Sequence, residues 1–396
     1  MLSEESAAVV RATLPVVAAQ LDTITARFYD TMFADRPELL DGLFNRGNQR
    51  NGEQRRALAG SIAAFATMLL DHPDERPDEL LSRIAHKHAA VGVTEDQYVI
   101  VHKYLFGAIA EVLGDAVTPD VAAAWDEVYW LMAGALIAIE ARLYAAAGAE
   151  GGRTWRTWQV VERREETPDA MSLLLRPLGD EPVPPALPGQ YVSIRVRMPD
   201  GVHQLRQYTL SGDGDGDGDG DGGLRRVTVK RVEDGEVSAL LHATAREGDE
   251  LTLSAPFGDV ALRDGEAPLV LVSAGIGCTP ITAMLGHLAR TGDPRRVLLL
   301  HADRDVTSHP LRADMARLAA EVGAEQVLWY ERDAPEGART GLMDLDGVAI
   351  PEGAEVYMCG PVPFMRAVRG GLIRAGVAPK DIHYEVFGPD LWLGAA

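Results

Sequence analysis

The spacing of apolar residues changes twice along this chain of 396 residues, and no single fold accommodates all three patterns. Residues 1–147 have apolar residues at helical spacing and no strand alternation. Residues 153–264 contain short β-prone runs separated by turn residues, which is typical of an antiparallel barrel or sandwich. Residues 266–396 alternate strand-like and helical runs, the pattern of an α/β domain with a parallel sheet. We therefore predict a multidomain protein with these three domains, the first two joined by the small, flexible run 147–154.

Composition and charge exclude several classes of partner. The net charge of -21 argues against nucleic acid and against an anionic membrane surface. The opening residues MLSEESAAVV are acidic and predict no signal peptide, and the longest apolar run, 128–139, is too short to cross a bilayer. Two cysteines, Cys278 and Cys359, provide no disulfide framework. We expect a cytoplasmic protein without an integral membrane segment.

The run SGDGDGDGDGDGG at 211–223 is the one low-complexity segment of the sequence. Calcium-binding repeats also need regular apolar positions to build a β-roll, and this run has none. We therefore predict a solvated hairpin loop rather than a metal site.

Two histidines in the run LSRIAHKHAAVG, at 81–92, are distinguished by helical geometry. Leu81, Ile84, Ala85 and His88 follow the spacing of one apolar stripe, whereas His86 lies about 200° around the helix axis. The pattern predicts that His88 faces the core and His86 faces solvent. A buried imidazole needs a partner for each nitrogen, and a metal ion on one side with a hydrogen bond on the other would satisfy it. A purely structural histidine is the alternative.

Other polar residues fall on inward faces of predicted helices. Gln54 shares an apolar stripe with Leu58, and Tyr29 lies among apolar positions of an earlier helix. Glu140 directly follows the apolar run 128–139 and can also face inward. Each residue alone is commonly satisfied by backbone groups. A tyrosine and a glutamine that face a histidine from other helices are suited to a gas ligand held on iron.

Four motifs of the C-terminal two-thirds suggest phosphate and ring binding. RQYTLS at 206–211 offers an arginine to clamp a phosphate and an aromatic ring to lie on a ring system. GEVSALLH at 235–242, LVSAGIGCTPITAML at 271–285 and VYMCGP at 356–361 each place glycine at the start of a helix, where backbone N–H groups can hold a phosphate. Each motif alone is readily explained as an ordinary turn. The occurrence of all four in this order is not, and it favours binding sites for phosphate and ring groups.

Together with YEVFGP at 384–389, this order resembles the ferredoxin–NAD(P)+ reductase superfamily. The resemblance implies that the barrel binds FAD and the α/β domain binds NAD(P)H, with Cys359 near the nicotinamide. The implied FAD residues are Tyr191, Arg206, Gln207, Tyr208 and Thr209, with Tyr208 against the isoalloxazine. The implied dinucleotide residues are Gly275, Ile276, Gly277, Cys278, Thr279 and Pro280. Phe387 would stack on the other flavin face, beside Val386, Gly388 and Pro389.

The N-terminal third resembles the globin domain of flavohaemoglobins in RFYDTMF, NQRNGEQRRAL, IAHKH, EDQYVIV and IEARLY, and that resemblance extends over essentially the whole chain. It implies an all-α globin domain that binds haem b, an antiparallel β-barrel FAD domain and an α/β NAD(P) domain. His88 would be the proximal iron ligand, with Tyr98 and Glu140 hydrogen-bonded around it. The distal pocket would contain Tyr29, Gln54 and Leu58. Lys87 and Glu385 would lie between haem and flavin and tune the redox potential.

The activity that this resemblance implies is nitric oxide dioxygenation, in which a monomer uses NAD(P)H to convert its substrates NO and O2 to nitrate. Two other classes stay open. One is a reductase whose helical domain only docks a separate acceptor, and the other is an oxygen or NO sensor with low turnover. The choice between NADH and NADPH also stays open, because Arg304 suits a 2′-phosphate and suits an ordinary surface position equally well.

Overall fold

The structure is a computed structural model that describes residues 2–41, 44, 52–75, 77–212 and 223–388. Most of the Gly-Asp run and Pro389 lie outside the described residues, so the structure does not test the predictions made for them. The chain divides into two compact units. The first comprises Met1–Trp155, Arg195–Arg206 and Gly388–Ala396, and the second comprises Arg156–Ile194 and Gln207–Phe387.

The N-terminal region is helical, as the spacing of its apolar residues predicts. Its long helices are α1 (Glu4–Asp35), α2 (Glu53–Asp71), α3 (Asp78–Ala89), α4 (Glu95–Leu113) and α5 (Pro119–Ala146). Side-chain caps begin several of them. Ser3 accepts from the Ser6 N–H at the start of α1, and Thr118 accepts from Val121 ahead of Pro119 in α5. Thr94 and Gln97 form a reciprocal capping box that begins α4.

The apolar stripes of these helices meet in one core, whose fully buried members include Val10, Ile24, Met32, Phe65, Leu81 and Ala85. Among the described residues, α1 and α5 are long and apolar enough to cross a membrane by length and composition alone. Core helices meet the same criterion, and both of these helices contribute buried residues to the domain core.

A closed six-stranded barrel follows, with strand order β1-β2-β5-β4-β3-β6. Its strands are β1 (Arg156–Thr167), β2 (Ala170–Pro177), β3 (Tyr191–Arg197), β4 (His203–Gly212), β5 (Arg225–Lys230) and β6 (Glu250–Leu253). The helix predicted to begin at GEVSALLH is α6 (Glu236–Thr244), between β5 and β6. The first and last strands, β1 and β6, pair in antiparallel register. This pairing closes the sheet into a barrel and leaves no edge strand.

The C-terminal region forms a parallel sheet of order β10-β9-β8-β7-β11-β12. Its strands are β7 (Leu269–Ala274), β8 (Val297–Asp303), β9 (Glu325–Tyr330), β10 (Arg339–Thr340), β11 (Glu355–Cys359) and β12 (Ile382–Glu385). Helices α7 (Cys278–Thr291), α8 (Arg312–Glu321) and α9 (Val362–Arg374) follow β7, β8 and β11, respectively. The chain adds strands on one side of β7 and then returns to its other side with β11. Ligands of such sheets bind at the carboxyl ends of the strands where the order reverses, here between β7 and β11.

A buried carboxylate joins the barrel to the parallel sheet within the second unit. Asp314 of α8 accepts hydrogen bonds from Arg226 of β5 and from the Arg164 Nη2 of β1, the latter at 3.1 Å. Asp314 and Arg226 are both buried. A buried charge without a partner of opposite sign strongly destabilises a fold. Removal of either Asp314 or its arginine partners should therefore destabilise this contact.

Replacement of Asp314 by alanine leaves two arginines without their shared carboxylate. We expect Asp314→Ala to lower the free energy of unfolding of the reductase part by about 3 kcal/mol, measured by urea denaturation. The control on the same helix is Arg317→Ala, which removes an exposed pair with Glu321 and should change that free energy by less than about 0.5 kcal/mol. Equal effects of the two substitutions would contradict the assignment.

Candidate functional site

Three helices of the first unit bring one histidine, one tyrosine and one carboxylate together. His88 lies in the last turn of α3, Tyr98 in the first turn of α4 and Glu140 in the second half of α5. The His88 Nδ1 lies 2.8 Å from Glu140 Oε1 and 3.0 Å from the Tyr98 hydroxyl. The Tyr98 hydroxyl donates to the same Glu140 oxygen at 2.6 Å. The structure therefore brings together the three residues that were predicted to meet.

The hydrogen-bond partners determine which atoms of this cluster carry protons. Burial, and next the charge of Glu140, raise the pKa of Tyr98 well above its usual value, so the hydroxyl keeps its proton and donates it to Glu140. Glu140 is only 4% exposed, and its Oε1 also faces Nδ1 of His88. Nδ1 is therefore the protonated nitrogen, because a carboxylate oxygen can only accept. The lone pair of the imidazole is then left on Nε2.

The free lone pair suits a metal ion. Nε2 of His88 makes no hydrogen bond to any residue that the structure describes, and the side chain is 34% exposed. Within the described ranges, no group of three or more His, Cys, Asp or Glu side chains could hold a metal ion. A single oriented imidazole therefore fits a metal whose other ligands come from a macrocycle, which is the donor set of a haem protein.

His86 differs from the expectation in its exposure. It was predicted to face solvent, yet it is half-buried and has interactions of its own. Exposure alone does not separate it from His88. The separation comes from the hydrogen bonds of His88 to Tyr98 and Glu140, which helical spacing does not reveal.

Tyr29 and Gln54 also come together. Tyr29 of α1 is buried, and its hydroxyl is hydrogen-bonded to the Gln54 side chain of α2. Burial raises the pKa of Tyr29 well above its usual value, and the Gln54 hydrogen bond opposes this only in part, so the hydroxyl stays protonated and can donate. Phe33 stacks on the Tyr29 ring at 5.6 Å, which fixes its orientation. Leu58 is half-buried against the same core. Their place in a distal gas pocket stays a prediction.

Of the two residues assigned to redox tuning, Lys87 belongs to the first unit and Glu385 to the second. Lys87 donates to the backbone carbonyl of Gly388. Glu385 is buried at the end of β12, where its Oε1 accepts from the Val386 N–H at 3.0 Å. Burial, and next the charge of Glu385, raise the pKa of Cys359, its partner in the sheet, well above the usual thiol value. The tuning role of Lys87 and Glu385 stays a prediction.

The predicted FAD residues lie on strands of the barrel. Tyr191 begins β3 and is buried, while Gln207 and Tyr208 of β4 are half-buried. Thr209 is 4% exposed, and its hydroxyl has no hydrogen-bond partner among the described residues. A buried hydroxyl is normally satisfied, so this one fits a polar ligand edge such as that of a flavin. The half-buried Arg206 donates to the carbonyl of Leu205.

The predicted dinucleotide turn occupies the point where the sheet order reverses. Gly275 has a φ of +54°, and the turn Gly275–Gly277 leads directly into α7. A Cβ added to Gly277 would lie 2.3 Å from the carbonyl oxygen of Cys359 and 2.9 Å from the Gly360 nitrogen. The turn therefore packs directly on the end of β11, and only glycine fits. Ile276 is half-buried, while Cys278, Thr279 and Pro280 are buried in the first turn of α7.

At the end of β12, the residues predicted to cover the flavin differ sharply in exposure. Val386 is buried, whereas the Phe387 side chain is 49% exposed. Gly388 has a φ of +128°, which other residues rarely adopt. The exposed ring of Phe387 fits a stacking role.

A buried polar cluster at the carboxyl end of β8 was not predicted. Nδ1 of His301 lies 2.8 Å from the Ser273 hydroxyl, and the His301 ring stacks on His309 with centroids 3.8 Å apart. Nδ1 of His309 lies 2.9 Å from the Tyr330 hydroxyl. Burial lowers the pKa of His309 to about 2, so that ring is neutral. A histidine at the end of the apolar run VLLLH was the available signal in the sequence.

Arg304, next to this cluster, pairs through Nη2 with Asp169 Oδ2 at 3.1 Å. Asp169 also lies 3.6 Å from Lys230. The Arg304 guanidinium is therefore already engaged by a carboxylate of the barrel. This contact leaves the choice between NADH and NADPH open.

The close packing of Gly277 generates a prediction. We expect Gly277→Ala to displace the turn from β11 and to lower kcat/KM for NADH about tenfold or more, because a small misplacement of a reacting group is costly. The control Gly286→Ala lies inside α7, where the added Cβ meets only Leu318 at an ordinary 3.9 Å. Steady-state reduction of an artificial electron acceptor measures both variants. Unchanged kinetics of Gly277→Ala would contradict the assigned role of the turn.

The histidine pair generates a second prediction. We expect His88→Ala to abolish the Soret absorption of the purified protein, because no other described residue offers the same oriented imidazole. His86→Ala should retain it. An absorption spectrum with haem quantification measures both, and a Soret band retained by His88→Ala would exclude His88 as the ligand.

Three family models match successive parts of the chain. They are Globin at residues 26–136, Oxidoreductase FAD-binding domain at 158–261 and Oxidoreductase NAD-binding domain at 271–370. Each range lies inside one of the three predicted domains, whose outer boundaries stay predictions. The predicted fold class and the three cofactors are confirmed: the chain is an oxidoreductase that combines a haem-binding globin domain with FAD-binding and NAD-binding domains.

Full-length relatives share the whole domain order. A flavohemoprotein of Deinococcus radiodurans is 41% identical over 402 residues, which cover 98% of each chain. The crystal structure of a flavohemoglobin from Malassezia yamatoensis with bound FAD and haem superposes with a TM-score of 0.91 at 40% identity, covering 98% of this chain and 100% of that one. The FAD/NAD-binding domain of a nitric oxide dioxygenase from Vibrio cholerae is 36% identical, has a TM-score of 0.56 and covers 60% of this chain and 100% of that one. The chain belongs to the flavohemoprotein family.

Proposed function

We propose that this flavohemoprotein is an NAD(P)H-dependent nitric oxide dioxygenase that converts NO and O2 to nitrate. The observation that carries the proposal is the hydrogen-bonded set of His88, Tyr98 and Glu140 in a globin domain that shares one chain with a reductase. A protein that only carries oxygen needs no reductase. The Vibrio cholerae protein whose reductase part is 36% identical is named a nitric oxide dioxygenase, which supports the proposal.

When bound, the haem supplies the site for the gases, and FAD with NAD(P)H supplies the reducing electrons. The contribution of Glu140 is to accept the Nδ1 proton of His88 in a hydrogen bond. This bond gives the imidazole a partial negative charge and makes it a stronger electron donor through Nε2. With haem bound, an electron-rich imidazole of His88 would favour oxygen activation over reversible storage.

Tyr98 fixes that geometry without supplying charge. Its raised pKa keeps the phenol neutral, and its hydroxyl holds the Glu140 oxygen in place from the opposite helix. The hydroxyl of Tyr29, kept protonated by burial and oriented by Gln54, is in the correct state to donate to a polar gas ligand. We assign Leu58, which packs on the same core, to an apolar wall of the distal pocket.

The reductase residues position the two other cofactors. Gly275 and Gly277 let a pyrophosphate approach the backbone at the start of α7. Thr209 offers its unpartnered hydroxyl to the flavin edge. The exposed ring of Phe387 would cover the flavin and would have to give way to the nicotinamide, because hydride transfer requires the two rings in contact.

We further propose that the protein acts as a cytoplasmic monomer. The haem, FAD and dinucleotide sites all lie in one chain, so no second copy is needed to complete the electron path. The two cysteines are buried and unbridged, which suits a reducing compartment.

Purified holoprotein tests the function directly. We expect NADH-driven consumption of NO in aerated buffer, with nitrate formed in equal amount, followed with an NO electrode and by nitrate analysis. Absence of NO consumption by protein that contains haem and FAD would overturn the proposal.

The proximal network predicts the effect of one isosteric change. Glu140→Gln removes the anionic acceptor while keeping the side-chain shape, and we expect NO turnover to fall about tenfold or more, since hydrogen bonds to charged groups are worth about 1.5–3 kcal/mol. The iron–histidine stretching frequency, measured by resonance Raman spectroscopy, should fall as well. The control Glu111→Gln alters an exposed carboxylate that pairs with Arg27, and both readouts should stay unchanged. A Glu140→Gln variant with normal turnover would remove the network from the mechanism.

A further inference from the structure

The carboxyl end of β8 carries two charged residues that the function described above does not use. Asp303 is the last residue of β8, and Arg304 follows it. Strand β8 comes directly after the turn Gly275–Gly277 and α7. In dinucleotide-binding sheets, the residues at the end of this strand lie beside the 2′ position of the adenosine ribose, where an arginine can accommodate the 2′-phosphate of NADPH. The partners of Arg304 therefore bear on which nucleotide the protein uses.

An aspartate of the barrel binds Arg304 within the second unit. Asp169 lies in the turn between β1 and β2, and its Oδ2 is 3.1 Å from Nη2 of Arg304. The same oxygen is 3.6 Å from Nζ of Lys230 at the end of β5. Arginine and lysine around one anionic oxygen also form the arrangement that binds a phosphate oxygen. The Asp169 carboxylate therefore takes the place that a phosphate oxygen would have between these two cations.

Asp169 is held in this position by contacts other than its pair with Arg304. Its Oδ1 accepts a hydrogen bond from the Thr167 hydroxyl at 2.8 Å, and its backbone carbonyl accepts from the Arg231 N–H at 2.6 Å. Burial raises the pKa of Asp169, but the Thr167 hydrogen bond and the two neighbouring cations outweigh it and lower that pKa below its usual value. The side chain is thus a fixed anion at neutral pH.

A second arginine at this edge of the sheet is also paired. Arg332 follows β9, and its Nη2 lies 2.9 Å from Oδ2 of Asp305. A 2′-phosphate would therefore meet two arginines that carboxylates already neutralise, and it would be repelled by those carboxylates. The 2′-hydroxyl of NADH is neutral and meets no such repulsion. The charges at this edge thus favour the nucleotide without the phosphate.

We propose that Asp169 is a specificity residue, through which the barrel selects NADH over NADPH. Its carboxylate engages the arginine that a 2′-phosphate would need, and it places a negative charge where that phosphate would lie. The pair of Asp169 and Arg304 alone leaves the choice of nucleotide open, and the like charge at Asp305 decides it. Selection of this kind rests on repulsion of the wrong ligand. The inference depends on the NAD(P)H dependence of the proposed function and is independent of NO as the substrate.

Removal of the Asp169 charge tests the proposal. Asp169→Asn keeps an oxygen that can accept from Thr167 but releases Arg304 and Lys230. We expect kcat/KM for NADPH to rise about fivefold or more, while kcat/KM for NADH changes little. Reduction of an artificial electron acceptor by the holoprotein with each nucleotide measures both values. Asp169→Ala is the second variant if Asp169→Asn does not fold.

The matched control alters another carboxylate of the barrel. Glu165 of β1 pairs with Arg163 at 2.6 Å, so Glu165→Gln makes the same change in net charge at an ion pair that does not include Arg304. The ratio of the two kcat/KM values should stay as in the wild-type protein. An equal shift of that ratio in Glu165→Gln and Asp169→Asn would reduce the effect to net charge and overturn the inference.

The partner of Asp169 is tested in two backgrounds. Arg304→Ala should affect the use of NADPH little in the wild-type protein, because the guanidinium is already engaged. In the Asp169→Asn background, the same substitution should remove most of the gain in kcat/KM for NADPH. A gain that persists without Arg304 would overturn the assignment.

Competitive inhibition against NADH measures recognition of the 2′-phosphate apart from hydride transfer. Adenosine 2′,5′-bisphosphate should bind Asp169→Asn more tightly than it binds the wild-type protein, whereas 5′-AMP should bind both equally. A wild-type protein that prefers NADPH, or an Asp169→Asn variant with unchanged preference, overturns the inference. None of these measurements uses NO, so a protein with the expected nucleotide preference that consumes no NO overturns the proposed function alone.

Discussion

The arrangement of the globin domain depends on one buried carboxylate. Glu140 lies in the interior of α5, where an unpartnered charge would cost several kcal/mol. Tyr98 and His88 satisfy it from α4 and α3, so the three helices must meet at one oxygen atom. The protonated nitrogen of His88, and hence the nitrogen left for iron, follows from that meeting. The same contact that stabilises the fold therefore also selects the chemistry of the site.

The reductase part depends on a comparable constraint at Gly277. The absence of a side chain there lets the turn after β7 lie on the carbonyl oxygen that ends β11. This contact closes the point where the strand order of the sheet reverses. The turn at Gly275–Gly277 and the end of β11 at Cys359 therefore pack against each other and form one surface, although about 80 residues of sequence separate them.

Local patterns in the sequence predict what depends on neighbours along the chain. The helical stripe of Leu81, Ile84 and Ala85 places His88 inward, and the Gly-x-Gly run at 275–277 predicts its own turn. The apolar run 128–139 marks Glu140 as a residue that can face inward, but its meeting with Tyr98 and His88 came from the family resemblance, because helical spacing cannot show which helices meet. For the same reason the exposure of His86 was overestimated, and the contact between His301 and His309 was missed. The partners of Asp314 lie on two strands of another domain, so no local pattern predicts them.

The buried Asp314 also determines how the second unit responds to salt. Mobile ions screen exposed charges over about 8 Å at physiological ionic strength but penetrate poorly to buried pairs. The carboxylate that Arg226 and Arg164 share joins the barrel to the parallel sheet, and its pair with Arg226 is largely buried, whereas the Arg164 side chain is 38% exposed. The spacing between the flavin-binding barrel and the dinucleotide-binding sheet is therefore held by an electrostatic contact that is largely independent of ionic strength. Hydride transfer between two bound rings tolerates little change in distance, so the geometry it requires should change little with salt concentration.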